Sequence, residues 1–499
     1  GTMRKAVLPE DLRGVHIHFV GIKGTGMAAL TEILFNRGAV ITGSDVSERF
    51  YTDEILEKLG LKALPFSKDN ITDSVQLVIY SSAYNAEKNP DLAEAEKKGV
   101  PCLLYTEALG AYSERAYSAG ICGVHGKTST TGLTGTVLKE LDLPCQVLAG
   151  SVINSFGNTC TYTSPDCKDS ERHFFVAETC EYQKHFMSFC PQKIILPSVE
   201  PDHQDFYPTY EDIRDAFVEY ILKLPQNGTL IYCADDKGAV ETAGIAKEKR
   251  PDIQMVPYGT KADGDYRLSF CGVKNEHNSF NIASLGDFYL CVPGKHEVLD
   301  AVAAVALSCE LLKTENKNPA DYIENIRRGL AAFSGGKRRS EIVGRGKTKN
   351  GISVIVMDDY GHHPTAVKTT LSGYREFYSG RKIIVDFMSH TYSRTQALLD
   401  EFASSFTGAD EIILHKIYSS ARENAADFSI TGKTLYEKTR EHFENVHYFE
   451  EILDASGFVL SLLEEPLDSK KYPDGYLLVT MGAGDNWKLG KEILKSLEQ

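Results

Sequence analysis

The segment GVHGKTST, residues 123–130, has the residue types of a phosphate-binding loop. It follows the apolar run AYSAGICGV and precedes the helical pattern TSTTGLTGTVLKEL, so it leads from a strand into a helix. Backbone N–H groups of such a turn cradle phosphate, Lys127 would reach the outer phosphates, and Thr128 would bind magnesium. Gly123 lies three residues before Gly126, whereas a complete Walker A loop has five. The loop predicts use of a nucleoside triphosphate; the alternative is a helix-start turn with an exposed lysine.

A second glycine-rich turn, GIKGTG at residues 21–26, also follows an apolar run and opens a helical pattern. Its GxxGxG spacing differs from the GxGxxG dinucleotide fingerprint. Asp45 ends the run AVITGSD, where a ribose-binding acid is expected, and this favours a second nucleotide moiety. The alternative is a tight packing turn. An oxidoreductase is disfavoured because no later segment resembles a hydride-transfer site.

Two polar residues follow apolar runs of the middle region. Glu178 closes HFFVAE and His203 closes KIILPSVEPDH, so in a parallel sheet both would lie at the carboxyl edge near the phosphate loop. Magnesium prefers oxygen ligands, which makes Glu178 the stronger candidate, because a lone histidine is more often structural. We expect Glu181 to be a solvated carboxylate at a helix start.

Two loops of the last third carry polar side chains after strand-like runs. The segments MDDYGHHP and FMSHTYSRT contain Asp358, Asp359, Tyr360, His362, His363, His390 and Arg394. Adjacent histidines suggest hydrogen bonds to a polar substrate or to phosphate, and an arginine suits a carboxylate. Surface capping is the alternative for either loop.

The order of these patterns predicts an α/β protein with parallel sheets. At about 150 residues per domain, 499 residues allow about three domains. We place them at residues 1–112, 113–334 and 335–499, because small residues and the triplet Lys337, Arg338 and Arg339 interrupt the periodicity near the last boundary.

Composition excludes several classes of protein. A net charge of −15 argues against nucleic-acid binding through bulk charge. Neither a continuous apolar run long enough to span a membrane nor an apolar signal core is found, so we expect a cytoplasmic protein without membrane insertion. The 11 cysteines form no CxxC pair and predict reduced, mostly buried thiols.

Together the motifs resemble those of the bacterial Mur ligase family. The resemblance runs in order through GIKGTGM, GSD, SSA, NP, GVHGKT, AETCEY, PDH, GKHEVLDAVAA, KRRSE, DDYGHHPT, HTYSRT, YSSAREN and MGAGD. It implies three domains: a Rossmann-like N-terminal domain for a UDP-sugar, a central P-loop ATPase-like domain with a parallel sheet, and a C-terminal Rossmann-like α/β domain for an amino acid. HTYSRTQALLDEF and YSSAREN favour the members that join L-alanine to UDP-N-acetylmuramate over those that recycle muropeptides.

The resemblance also implies a reaction that depends on ATP and Mg²⁺, in which an amine attacks a phosphorylated carboxylate. We expect the protein to be a monomer or dimer. For catalysis it implies Lys127, Glu178, His203, His362 and Arg394. For the nucleotide it implies Gly123, Gly126, Lys127, Thr128, Ser129, His296, Arg338 and Asp359, and for magnesium Thr128, Glu178 and His203. For the substrates it implies Gly24, Thr25, Gly26, Met27, Asp45, Ser81, Ser82, His125, His362, His390 and Arg394.

Two segments depart from the family pattern. Pro197, Ser198 and Val199 stand where Thr-Asn-Ile is usual, and Glu297 and Asp300 stand where the family has two asparagines associated with the nucleotide. Loss of one or two hydrogen bonds costs about 1–3 kcal/mol each, which would weaken ATP binding or alter purine choice. Besides the ligase, two alternatives therefore stay open: a muropeptide-recycling ligase, and a catalytically weakened member that binds a nucleotide or UDP-sugar.

Overall fold

The computed structural model describes residues 7–167 and 172–498. They separate into two compact units. The first comprises the chain up to Cys271 with Ser279–Leu290 and Lys295–Phe333, and the second comprises Gly272–Asn278, Cys291–Gly294 and the chain from Ser334 onward.

The first unit opens with a small parallel α/β sheet. Its elements are β1 (His16–Val20), α1 (Thr25–Phe35), β2 (Val40–Ser44), α2 (Thr52–Lys58), β3 (Leu77–Tyr80), α3 (Pro90–Lys98), β4 (Cys102–Leu104) and α4 (Tyr105–Glu114). The strand order is β2-β1-β3-β4, with every pair parallel. The first glycine-rich turn joins β1 to α1, as the sequence predicts.

Local sequence signals explain where α3 begins and ends. The side chain of Asn89 caps it by accepting from Leu92 N, and Pro90 occupies the first helical position, where its missing N–H costs nothing. Gly99 ends the helix in the left-handed conformation, with φ 69°. Asn89, Pro90 and Gly99 therefore mark both ends of α3 in the sequence.

A larger sheet follows in the same unit. The elements of this middle region are β5 (Tyr117–Ile121), α5 (Lys127–Leu138), β6 (Cys145–Ile153), β7 (Thr159–Thr163), β8 (Phe174–Glu178), β9 (Lys193–Leu196), α6 (Tyr210–Ile221), β10 (Thr229–Cys233), α7 (Lys237–Lys249), β11 (Gln254–Tyr258), β12 (Leu268–Lys274), β13 (His277–Ile282), β14 (Gly286–Leu290), α8 (Lys295–Thr314) and α9 (Ile323–Ala332). The large sheet has the order β11-β10-β9-β5-β8-β6-β7. Strands β5, β8 and β9 are parallel neighbours, so their carboxyl ends lie at one edge.

Apolar packing holds the two sheets of the first unit together. Ile17 and Phe19 of β1 belong to the same buried cluster as Phe175 of β8 and Ile194 of β9, and all four are fully buried. Helix α8 is buried along most of its length and packs on α5, the helix that follows the phosphate loop. The helix that follows the phosphate loop is therefore packed against a buried helix.

The second unit is dominated by a third sheet. Its elements from residue 341 onward are β15 (Glu341–Lys347), β16 (Ser353–Asp359), α10 (Pro364–Phe377), β17 (Arg381–Phe387), α11 (Tyr392–Ala397), α12 (Leu399–Ala403), β18 (Glu411–Leu414), α13 (Gly432–Arg440), β19 (Val446–Tyr448), α14 (Ser456–Glu464), β20 (Gly475–Met481) and α15 (Trp487–Lys495). The order is β15-β16-β20-β17-β18-β19, and only the pair β15–β16 is antiparallel.

The predicted parallel α/β class is confirmed, with additions at the sheet edges. Strand β7 is antiparallel to β6, β15 is antiparallel to β16, and β12, β13 and β14 form a separate sheet. These strands lack the continuous apolar runs of the central strands, because edge strands are half-exposed. The boundaries after residues 112 and 334 stay predictions; residue 112 lies inside α4.

All 11 cysteines are free, and seven of them are buried, which confirms the prediction of reduced thiols. Among the described residues, no helix combines the length and apolar composition needed to cross a membrane.

Candidate functional site

The phosphate loop has the backbone that its glycines predict. Gly123 has φ 112° and Gly126 has φ 87°, both in the left-handed region that favours glycine. A Cβ on Gly126 would lie 2.9 Å from Oδ1 of Asp300, so there is no room for a side chain. Helix α5 begins at Lys127, and its first-turn N–H groups lack helical partners. N–H groups in this position can donate to an anion, so the geometry is compatible with the predicted phosphate loop.

Thr128 and Glu178 lie together at the carboxyl edge of the sheet. The Thr128 hydroxyl donates to Glu178, with 2.9 Å to Oε1 and 3.1 Å to Oε2. Gly150 N also donates to Oε2, at 2.5 Å. The strand end therefore places a hydroxyl and a carboxylate beside the phosphate loop, which is a donor set that suits a hard cation.

Glu181 lies at the centre of a second cluster, and the prediction that it is solvated is wrong. Its side chain is only 1% exposed. Oε2 lies 2.7 Å from Lys127 Nζ, and Oε1 lies 3.2 Å from His203 Nε2. Glu181 does precede a short 3-10 helix (Tyr182–Ser188), as a helix-start residue should, but its carboxylate is buried against Lys127 and His203 and does not face solvent.

The contacts of Glu181 keep Lys127 charged. Burial opposes the charge on Lys127, but the attraction and hydrogen bond of Glu181, with the charges of Cys180 and Glu178, outweigh it and raise the pKa. The lysine is thus a cation next to the phosphate-binding turn.

The structure divides the predicted magnesium ligands between two groups. Thr128 and Glu178 form one, while His203 belongs to a group with Glu181 and Asp202 whose ligand atoms lie within 4.8 Å of one another. Carboxylate and hydroxyl oxygens predominate in both, as magnesium requires. The sequence prediction did not include Asp202 as a candidate ligand and misjudged the burial of Glu181, although both stand in or beside the motifs that carry Glu178 and His203.

The unusual segment after β9 supports the phosphate loop. His125 N donates to Ser198 Oγ at 2.7 Å, and Val124 N donates to the carbonyl oxygen of Ser198 at 3.0 Å. Val199 N donates to Asp236 Oδ2 at 3.0 Å. Ser198 therefore shapes the loop backbone without the usual asparagine.

Glu297 and Asp300 place two acids against the first turn of α5. The Ser129 hydroxyl donates to Glu297 Oε2, and Asp300 is 7% exposed beside Gly126. Burial, followed by the charge of Glu297, raises the pKa of Asp300 well above its ordinary value. A protonated carboxyl carries an O–H donor and a carbonyl acceptor, so it partly reproduces the hydrogen-bonding of an amide.

A cavity of about 360 Å³ lies between the first glycine-rich turn and the end of β8. Five residues predicted for substrate binding line it: Gly24, Gly26, Met27, Ser81 and Ser82. Glu178, Thr179 and Cys180 also line it. The structure thus brings the first glycine-rich turn and the acid beside the phosphate loop to one space.

Other predicted residues of the first unit have local partners. Asp45 is buried; its Oδ2 accepts from Lys23 N at 2.8 Å, which holds the glycine-rich turn in shape. The Thr25 hydroxyl lies 2.7 Å from the Tyr51 hydroxyl. The side chains of His125 and His296 are 71% and 79% exposed, with Glu200 and Glu297 as their respective ion-pair partners.

In the second unit, Arg338 and Asp359 organise the loops at the ends of β16 and β20. Arg338 Nε donates to Asp358 Oδ2 at 2.7 Å, and Nη2 donates to the Gly482 carbonyl at 2.8 Å. Asp359 Oδ2 accepts from Ser340 N at 2.8 Å. Burial raises the pKa of Asp359. Their proposed role toward the nucleotide stays a prediction.

The two adjacent histidines have different surroundings. His363 caps α10, with Nδ1 accepting from Thr365 N at 3.3 Å. His362 Nδ1 lies 3.2 Å from the Tyr360 carbonyl oxygen. The capping contact assigns His363 to structure and leaves His362 as the candidate for substrate.

His390 and Arg394 lie near His362 at the carboxyl edge of β17. Burial, followed by the charges of Arg394 and His362, lowers the pKa of His390, whereas Glu423 acts in the opposite direction. The four side chains are thus close enough to influence one another. A neutral imidazole beside an arginine suits a zwitterionic amino acid.

Three family models match the chain in order. They are "Mur ligase family, catalytic domain" over residues 16–117, "Mur ligase middle domain" over 121–308 and "Mur ligase, glutamate ligase domain" over 338–484.

Similar proteins match over the whole length. The UDP-N-acetylmuramate–L-alanine ligase of Treponema pallidum (strain Nichols) is 46% identical over 500 residues, which covers 100% of both chains. The enzyme of the same name from Borreliella burgdorferi is 37% identical over 485 residues, covering 96% of this chain and 98% of the relative.

Solved structures share the fold. The UDP-N-acetylmuramate-alanine ligase MurC from Thermotoga maritima has a TM-score of 0.69 at 23% identity and covers 96% of this chain and 98% of its own. A murein peptide ligase from Psychrobacter arcticus has a TM-score of 0.55 at 19% identity, with 97% and 98% covered. The chain belongs to the Mur ligase family.

Proposed function

We propose that this protein joins L-alanine to UDP-N-acetylmuramate at the expense of ATP, a step of peptidoglycan precursor synthesis. The full-length relatives at 46% and 37% identity support this assignment. Its substrates are the nucleotide sugar and the amino acid, and its cosubstrate is ATP with Mg²⁺. We expect it to act in the cytoplasm as a monomer or dimer.

One observation of the structure carries the proposal: the cavity that Gly24, Ser81 and Glu178 line together. A sugar nucleotide held at the first glycine-rich turn would extend through this cavity toward the phosphate loop. Its carboxylate would then approach the outer phosphate of a nucleotide held at the turn before α5. This proximity is what transfer of a phosphoryl group to a carboxylate requires.

The chemistry follows from the low reactivity of a carboxylate. Transfer of the γ-phosphoryl group to the carboxylate forms an acyl phosphate; attack by the amine gives a tetrahedral intermediate, which collapses to amide and phosphate. Lys127 and the N–H groups at the start of α5 would stabilise the charge on the transferring group.

The predicted magnesium would neutralise phosphate charge when bound. Thr128 and Glu178 would hold it at one position, and Glu181, Asp202 and His203 would hold it at another. Glu181 also keeps Lys127 in place, so the lysine does not need to be reoriented during transfer.

The second unit would supply the amino acid. Arg394 would bind the carboxylate of the amino acid. His390 has a lowered pKa and is neutral near pH 7, so it could accept the proton that the ammonium group must lose before attack. His362 would line the same binding site for the amino acid.

Phosphate release from purified protein tests the proposal. The assay contains ATP, Mg²⁺ and UDP-N-acetylmuramate with L-alanine, glycine, L-serine or a tripeptide, and the Lys127→Ala variant serves as the control. We expect release that needs both the nucleotide sugar and L-alanine and is lost in the variant. Release with the tripeptide alone would instead indicate a recycling ligase.

A weakened nucleotide binder is the second candidate, because Glu297 brings a carboxylate to the start of α5 and the carboxyl of Asp300 fills the space beside Gly126. It predicts thermal stabilisation by UDP-sugar, about 2.7 kcal/mol at one hundred times the dissociation constant, without turnover. Phosphate release with L-alanine would exclude it.

A further inference from the structure

Two opposite charges of the second unit lie close together without pairing. Arg394 Nη1 and Glu423 Oε1 are both buried, and neither atom has a hydrogen-bond partner in the part of the chain that the structure describes. No ion pair within 4.0 Å joins the two side chains among the described residues. A buried donor or acceptor left unsatisfied costs about 1–3 kcal/mol, so such a pair indicates a place where a ligand supplies the missing partners.

The backbone holds Glu423 beside the arginine. Its other oxygen, Oε2, accepts from the backbone N–H of Ser393 at 3.0 Å, and Ser393 directly precedes Arg394. One carboxylate oxygen is thus anchored, and the other is left for a different donor. The position of the carboxylate relative to α11 is therefore fixed by the fold.

The segment that carries Glu423 is tied to the loop after β17. Thr391 N donates to the Tyr418 carbonyl at 2.9 Å, and Tyr418 N donates to the Ser389 carbonyl at 2.8 Å. The ring of Tyr392 stacks on Phe428, with 5.8 Å between their centroids. These contacts connect the two segments on both sides of Glu423.

Thr391 adopts a conformation that threonine rarely has. Its φ is 68°, and its hydroxyl accepts from Arg394 N at 3.3 Å. Strained residues of this kind persist where the surrounding structure enforces them, often at ligand sites. The strained residue Thr391 lies in the turn between His390 and Arg394.

The free atoms match the two ends of an amino acid. Arg394 Nη1 is a donor suited to a carboxylate, and Glu423 Oε1 is an acceptor suited to an ammonium group. We propose that Glu423 binds the ammonium group of the incoming amino acid while Arg394 binds its carboxylate, so that the pair selects a zwitterion. This inference rests on the proposed function and adds to it the residue that recognises the amine.

A comparison of L-alanine with a ligand that lacks the amine separates a role of Glu423 in binding the ammonium group from a purely structural role. Equilibrium binding of L-alanine and of propionate, which has no amine, is measured on the full chain with UDP-N-acetylmuramate and a non-hydrolysable ATP analogue. In the Glu423→Gln variant we expect L-alanine to bind about 10- to 100-fold more weakly, with propionate unchanged. The preference for alanine over propionate should shrink by the same factor.

Glu437→Gln is the matched control, because Glu437 is an exposed glutamate of the same unit. It should leave both affinities unchanged. Equal weakening of L-alanine and propionate in Glu423→Gln, or no weakening of either, would overturn the proposal, as would wild-type protein that does not prefer alanine.

This binding experiment is independent of turnover. Wild-type protein that prefers L-alanine through Glu423 but releases no phosphate would contradict the proposed reaction and support the binding role. Active protein whose Glu423→Gln variant keeps its preference for alanine would support the reaction and exclude the role.

Discussion

Glu181 contacts two of the side chains on which the proposed reaction depends, Lys127 and His203. Because the Glu181 carboxylate is buried, water cannot easily replace its contacts with Lys127 and His203 when the carboxylate is removed. The residue is therefore both a candidate magnesium ligand and the group that positions the lysine.

We predict that Glu181→Gln lowers the rate of phosphate release about 10- to 100-fold, as loss of a positioning or ligand carboxylate does at metal sites. Glu219→Gln is the control, because Glu219 forms an exposed pair with Lys184 that contributes little. Steady-state kinetics with all three substrates provide the measurement. Full activity of Glu181→Gln would show that Lys127 needs no partner.

Asp300 makes stability depend on pH. Burial, followed by the charge of Glu297, raises its pKa, so the folded chain retains a proton that the unfolded chain releases above about pH 3.9. The stability linked to this proton is complete below that pH and is lost as the pH rises toward the folded-state pKa.

We therefore expect Asp300→Asn, which cannot titrate, to unfold at a higher temperature than the wild type at pH 8, with a difference that shrinks toward pH 4. In a unit of this size a gain of about 1 kcal/mol corresponds to about 1–2 °C. Thermal unfolding from pH 4 to pH 8 provides the test, with the exposed Asp263→Asn as control. A difference that does not vary with pH would contradict a raised pKa.

At the scale of elements, the turn before α5 depends on its backbone more than on its side chains. Gly126 combines φ 87° with Asp300 at 2.9 Å from its would-be Cβ. Gly244 in α7 has nothing within 4 Å of its would-be Cβ, so the same substitution meets no obstacle there.

We predict that Gly126→Ala destabilises the protein by about 1–2 kcal/mol or more, from the left-handed strain alone, and abolishes nucleotide binding. Gly244→Ala should stabilise by about 0.5–1 kcal/mol, because alanine is favoured inside a helix. Urea unfolding and nucleotide titration measure both. Nucleotide binding retained by Gly126→Ala would show that the turn tolerates a side chain.

For the whole molecule, the proposed reaction draws on both compact units. The phosphate loop and the cavity belong to the first, and Arg394, His390 and Glu423 belong to the second. Amide formation requires atoms held by both to come within about 3–3.5 Å.

We therefore predict that an ATP analogue and UDP-N-acetylmuramate together reduce the radius of gyration in small-angle X-ray scattering, as substrates do when they close multidomain enzymes. The Lys127→Ala variant, weakened in nucleotide binding, should compact less. Unchanged scattering with both ligands would contradict closure.

The sequence by itself determined the parallel α/β class, the two glycine-rich turns and the positions of Lys127, Thr128 and Glu178. These are local properties, because a strand followed by glycines and a helix start is encoded within about 20 residues. The comparisons confirm the family that the ordered motifs indicate.

Only the tertiary structure decided which distant side chains meet. Burial of Glu181 against Lys127 and His203, the packing of Asp300 on Gly126, and the unpaired atoms of Arg394 and Glu423 all depend on segments far apart in the chain. A carboxylate near a helix start looks the same in sequence whether solvated or buried, since burial is set by the elements that pack around it.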